Sequence, residues 1–93
     1  MNNEEARQVL LGHLEQYRGR SYAELIDLVD SSDDTELVAP SGTTYQIRVQ
    51  AFWDDGSHQN LRVSGAIDDG GWRAFAPLVD DFIRAPNGAF VGE

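Results

Sequence analysis

Two hydrophobic periods divide this chain. Over 2–18, apolar side chains return every three or four residues, at Ala6, Val9, Leu10, Leu14 and Tyr17, which lines them along one stripe of a helix. His13 lies at the edge of that stripe. Asn2 can cap the first turn, with Glu5 three residues on as a variant capping box, and Gly19 can end the last turn. Gly12 weakens such a helix by about 1 kcal/mol relative to alanine, so tertiary packing has to hold it. Ser21-Tyr22-Ala23-Glu24 is a full capping box, in which the serine oxygen accepts from the third helical amide and the glutamate reaches back to the serine amide. The spacing predicts a second helix from there to residue 30, with Tyr22, Leu25, Ile26 and Val29 on one face and Leu28 beside it. Only Arg18-Gly19-Arg20 links the two, so a helical hairpin or a sharp corner is expected over 1–30.

Asp30-Ser31-Ser32-Asp33-Asp34 reads as a solvated acidic linker, and beyond it the period falls to two. Over 43–53, Tyr45, Ile47, Val49, Ala51 and Trp53 face one way and Thr44, Gln46, Arg48 and Gln50 the other, with Phe52 as the apolar exception. A short strand over 36–39 and the turn Pro40-Ser41-Gly42 make a hairpin with it. Asp54-Asp55-Gly56-Ser57 is a turn, and 60–68 is the next strand, with Leu61, Val63, Gly65 and Ile67 inward. After the turn Asp68-Asp69-Gly70-Gly71, a further strand is expected over 72–76, which Pro77 ends or pushes to an edge. Segments 81–85 and 89–92 flank Pro86-Asn87-Gly88, where asparagine and glycine accept positive φ. A final hairpin is preferred there over the competing short helix at 78–84. The expected fold is one α+β domain over 1–93, with two N-terminal helices on one face of a mainly antiparallel meander sheet. That sheet, of about four to six strands, occupies 36–92.

Length and composition narrow the picture. A chain of 93 residues has room for one core, and the modest burial available to a domain this small makes a second copy a natural partner. With no cysteine, disulfides, thiolate zinc sites and thiol redox motifs are excluded. The N-terminus is acidic and polar where a secretory signal would be basic and then apolar, and no apolar run approaches the roughly 20 residues that cross a bilayer. A cytoplasmic protein without a membrane partner is the expectation. The formal net charge is −9, with nine acids and four arginines before Trp53 and seven acids and three arginines after it, so the charge is spread along the chain. Such a surface repels nucleic-acid phosphate and attracts basic proteins.

The acids invite a metal or acid–base hypothesis through three pairs, Asp54/Asp55, Asp68/Asp69 and Asp80/Asp81. In the expected meander, about 35 Å of strand separates the Asp54 and Asp68 turns at about 3.3 Å per residue. The turns at 40–42, 68–71 and 86–88 fall at one end, and Asp54, Asp55, His58, Asp80 and Asp81 towards the other. Oxygen ligands with one imidazole there suit magnesium, manganese or calcium. Asp-Asp-Gly is also ordinary turn chemistry, and neither a D-x-D-x-D-G loop nor an H-E-x-x-H pair is present. No metal or cofactor is therefore assigned, and Asp54, His58, Asp80 and Asp81 are kept as candidates for a ligand pocket. There is no G-x-S-x-G, no cysteine or lysine nucleophile and no P-loop around Gly70-Gly71, so no catalytic residue is assigned and the balance tilts away from an enzyme.

The aromatic residues lead elsewhere. Phe52 alternates with Trp53 and Phe75 is out of phase with Trp72, so one ring of each pair should leave the helix-covered face. Beside Arg48, Arg62 and Arg73, an outward Phe52 and Phe75 have the composition of a protein-binding or dimer surface. The run G-G-W-R-A-F-A-P-L-V-D-D-F-I-R-A-P-N-G-A-F-V-G-E, preceded by S-G-A-I-D-D, resembles small stand-alone bacterial proteins of unknown function, some carried as orphan gene cassettes. That resemblance implies no activity, cofactor or site residue. The reading that follows is a non-enzymatic protein-binding or self-associating module that uses the second face of the sheet, with an immunity-like or inhibitor role towards a basic partner as its specific version. Its rival is a small enzyme or ligand-binding protein with a pocket at Asp54, His58, Asp80 and Asp81.

Overall fold

A computed structural model describes residues 1–70 and 77–93. Helix α1 spans Asn3–Arg18, and Asn2 caps it by accepting from the Glu5 amide at 3.1 Å. The reciprocal half of that box is not made. Glu5 Oε1 instead accepts from the hydroxyls of Tyr45 and Ser41, both at 2.8 Å, and so pins the start of the helix to the sheet. Helix α2, Tyr22–Ile26, has the full Ser21/Glu24 capping box but is only five residues long.

The expectation of a second helix running to residue 30 is corrected here. The Leu28 carbonyl accepts from the Ala51 amide at 3.3 Å, Val29 makes a parallel bridge to Ala51, and Asp30 turns the chain at φ 66°. Competition from an open strand edge thus wins over helix propensity, and one full helix, with a single further turn, packs on the sheet.

Four antiparallel strands follow in the order of a simple meander: β1 (Asp33–Val38), β2 (Thr44–Trp53), β3 (Leu61–Asp68) and β4 (Leu78–Arg84). Two boundaries differ from expectation. Strand β1 begins at Asp33 rather than 36, because Asp33 pairs with Val49 and Asp34 with Arg48, so the last two residues of the acidic linker are strand. Strand β4 occupies 78–84, which rules out the short helix there. The expected strand at 72–76 lies outside the described residues.

The last hairpin is reduced to a tight turn. Ala85 donates to Ala89 at 2.8 Å, Phe90 bridges Arg84, and Val91 donates to the Ile83 carbonyl at 2.9 Å, but the tail forms no strand. With β3 and β4 paired directly, the 86–88 turn lies at the same end as Asp54 and His58, opposite to where strand counting put it.

Alternation along the strands sends Tyr45, Ile47, Val49, Leu61, Val63 and Ile67 beneath the helices, where all are fully buried with Leu10 and Leu25. Gly65 lets α1 come close. A Cβ there would lie 2.9 Å from Leu10 Cδ1 and 3.0 Å from Leu14 Cδ2. At the other end of α1, the buried Arg84 donates from Nη1 to the Arg20 carbonyl at 2.9 Å and the Arg18 carbonyl at 3.2 Å, and from Nε to the Gly88 carbonyl at 2.9 Å. One guanidinium thus ties the helix C-terminus, where a cation is favoured, to the final turn. Phe90 packs between the cations of Arg18, at 4.5 Å, and Arg84, at 4.6 Å, and Arg18 also pairs with Glu93. Among the described residues, no helix is long and apolar enough to cross a membrane.

Candidate functional site

The helices cover one face of the sheet, and among the described residues no element covers the other. On that face the cross-strand rows are Asp34–Arg48–Ala66–Val79, Gln50–Ser64–Asp81 and Phe52–Arg62–Ile83, with Glu36–Gln46–Asp68 above them. Phe52 is 49% exposed, Val79 53% and Val38 69%, whereas Tyr45, Ile47, Val49 and Ala51 on the helix side of β2 are buried. Both arginines are held by acids. Arg48 makes a two-pronged pair with Asp34 at 2.8 and 3.0 Å. Arg62 reaches Asp54 at 2.7 Å with one nitrogen and Asp81 at 2.9 Å with another.

The Arg48 hydrogen bond holds the Asp34 carboxyl below its usual range, and Asp34 raises Arg48. Asp54 and then Asp81 raise Arg62. On the surface such pairs contribute little to stability, but they fix the direction of the side chains. Among the described residues, this face carries five carboxylates, Asp34, Glu36, Asp54, Asp68 and Asp81, of which Asp34, Asp54 and Asp81 pair with the two guanidiniums of Arg48 and Arg62, so acids outnumber cations around its exposed apolar groups.

The expected protein-interaction residues divide in two. Phe52, Arg48 and Arg62 share the uncovered face, while Phe75 and Arg73 lie outside the described residues. The four candidate ligand residues do not form a pocket. Asp54 and Asp81 do meet, but around the Arg62 cation. Asp80 alternates onto the helix side opposite Gly65, and its Oδ1 accepts from the Asp81 amide at 2.8 Å. His58, at φ 57°, stacks on the Trp53 ring at 5.1 Å and 14°. Asp55 accepts from the Gln59 amide at 3.1 Å and the Ser57 hydroxyl at 3.0 Å, and those bonds, the Gln59 one foremost, lower its pKa. The convergence inferred from sequence needed Asp80 and Asp81 in a turn, and they stand inside β4 instead. Among the described residues no group of three or more histidine, aspartate or glutamate side chains is placed to hold a metal.

A second constellation escaped the sequence reading. Tyr17 donates to Asp33 Oδ2 at 2.8 Å, Arg20 lies 3.7 Å from the same carboxylate and 4.2 Å above the tyrosine ring, and His13 is 5.6 Å from that ring. His13 is buried, and its Nε2 has no hydrogen-bond partner among the described residues. Burial lowers the His13 pKa, against the opposing pull of Asp33, and burial together with the Asp33 hydrogen bond pushes Tyr17 up to about 12. A neutral imidazole beside a firmly protonated phenol offers no activated nucleophile. The i, i+4 spacing of His13 and Tyr17 was visible in the sequence, but Asp33 joins them only once β1 is known to begin there.

Comparison with family models, curated proteins and solved structures finds no match to this chain.

Proposed function

We propose that this chain is a non-enzymatic protein-binding module whose uncovered sheet face docks a basic protein, in an immunity-like or inhibitor role. The observation that carries the reading is the uncovered face itself, where Phe52 and Val79 stand half exposed, among the described residues, amid five carboxylates and two already-paired arginines. Exposed apolar groups supply contact area, and the surrounding acids select the charge of what covers them. The net charge of −9 extends that selection over the whole molecule and favours rapid encounter with a cationic surface at low ionic strength. A second copy is the poorer occupant, because two such faces would set acids against acids. The rival ligand-pocket reading has less support, since Asp54 and Asp81 are engaged by Arg62 and Asp80 lies on the other side of the sheet.

Selection from a displayed peptide library tests the reading. Enriched sequences should be cationic, bind less tightly as salt rises, and lose about tenfold or more in affinity with Phe52→Ser. Enrichment of neutral or acidic sequences, or affinity indifferent to Phe52→Ser, would overturn it. Sedimentation at low and high salt should return a monomer, and a dimer broken by Phe52→Ser would shift the reading to self-association.

A further inference from the structure

We infer that the free edge of β1 captures an extended cationic segment of the partner as a fifth strand. The inference rests on the basic-partner reading and adds where and how that partner is held. Hydrogen-bond alternation exposes the edge. Ala39 donates to the Thr43 carbonyl at 2.8 Å, so the bonded rungs of the β1–β2 ladder step back through Leu37, Thr35 and Asp33. The peptide groups of Asp34, Glu36 and Val38 therefore point away from β2, out of the sheet. The opposite edge is partly closed, because Val91 donates to the Ile83 carbonyl and Phe90 bridges Arg84.

Open space flanks the β1 edge on both sides. One depression lies on the uncovered face between Glu36, Gln46, Arg48 and Asp68, and another lies between β1 and α1, lined by His13, Gln16, Tyr17, Arg20 and Asp33. Side chains of an added strand alternate between the two faces, so successive residues would enter one depression and then the other. Added strands gain affinity from main-chain hydrogen bonds and specificity from such flanking pockets.

Charge identifies the occupant. Strand β1 contributes Asp33, Asp34 and Glu36, and Asp68 lines the depression beside it. Two β1 edges joined antiparallel about Thr35 or Glu36 would set Glu36 of one copy against Asp34 or Glu36 of the other. Like charges directly opposed are destabilising, and acids on an edge strand disfavour self-pairing. A segment carrying arginine or lysine at alternate positions meets the same acids with the opposite sign.

The test uses the full chain and a capped peptide of about eight residues alternating arginine and valine, beside a version N-methylated at consecutive residues so that neither of its edges can pair. Near saturation at low salt, amide exchange at Asp34, Glu36 and Val38 should slow by about tenfold, while the β2–β3 ladder is unchanged. Glu36→Pro removes an outward-pointing amide and no β2 bond, so it should fold and bind at least about tenfold more weakly. Glu36→Lys gives a second variant should the proline disturb folding, and it too should weaken binding.

Equal binding of the N-methylated peptide, or indifference to both Glu36 variants, would overturn the edge proposal. If binding then still depended on Phe52, the basic-partner reading would survive it. No binding of either peptide at low salt would remove both. A dimer of the chain alone that Glu36→Pro dissolves would put a second copy on the edge and overturn the cationic occupant.

Discussion

Replacing Arg84 by methionine is the sharpest perturbation of this fold, because it keeps the aliphatic stem and deletes only the guanidinium. Three hydrogen bonds go with it, those to the carbonyls of Arg18, Arg20 and Gly88 at 3.2, 2.9 and 2.9 Å. A hydrogen bond from a charged donor contributes about 1.5–3 kcal/mol, and the desolvation of a buried cation, relieved in the variant, cancels part of the sum. A net loss of about 2–4 kcal/mol follows, larger than the cost of an ordinary surface change. At about 4–8 °C per kcal/mol for a domain of this size, Tm should fall by at least about 10 °C. Arg84→Lys keeps the charge but not the planar fork and should lose roughly half as much. Urea unfolding followed by circular dichroism gives the energies, and amide exchange at Gly88 and Val91 shows whether the final turn is released with them. A methionine variant within about 0.5 kcal/mol of the native chain would refute the view that this one cation joins helix to turn.

The other expectations concern smaller parts of the molecule. Gly65→Ala should destabilise by about 1–2 kcal/mol in urea unfolding, as crowding against Leu10 and Leu14 outweighs the entropy gained, and Leu14→Ala should add less than usual on top of it. Burial depresses the His13 pKa in the folded chain, so its contribution to stability is fully present above about pH 6.5 and is lost as pH falls through the folded value. His13→Gln should flatten the stability profile as pH falls below about 6.5. Tyr17 has its pKa raised to about 12, so its contribution is present below the unfolded value near 10 and is lost as pH rises through the folded one. Tyr17→Phe should therefore cost about 1 kcal/mol at neutral pH and remove the most alkaline step of a tyrosine absorbance titration, unless alkaline unfolding comes first.

The sheet was legible where one face is dry. Tyr45, Ile47, Val49 and Ala51 announced β2 by alternation, and Leu61, Val63, Gly65 and Ile67 announced β3, because burial enforces a period of two. The start of β1 was hidden, since Asp33 and Asp34 look like linker until Tyr17, Arg20 and Arg48 provide partners for them. The second helix was overestimated because the Leu28 carbonyl is captured by a strand distant in sequence, which no local pattern encodes. The face that carries Phe52, Arg48 and Arg62 could be read from phase alone. Where Asp80 and Asp81 would stand could not, because their place depended on how many strands precede them. The His13–Tyr17–Asp33 contact spans helix and sheet edge and needed the register.

The central claim is that a basic protein segment binds the acidic, uncovered side of this sheet. Titrating the isotopically labelled chain with the alternating arginine–valine peptide, and following every backbone amide by NMR, tests it most directly. Shifts should concentrate at Asp34, Glu36 and Val38 and on the uncovered face around Arg48, and they should shrink as salt rises. Shifts confined to the α1 side, or none at low ionic strength, would contradict it.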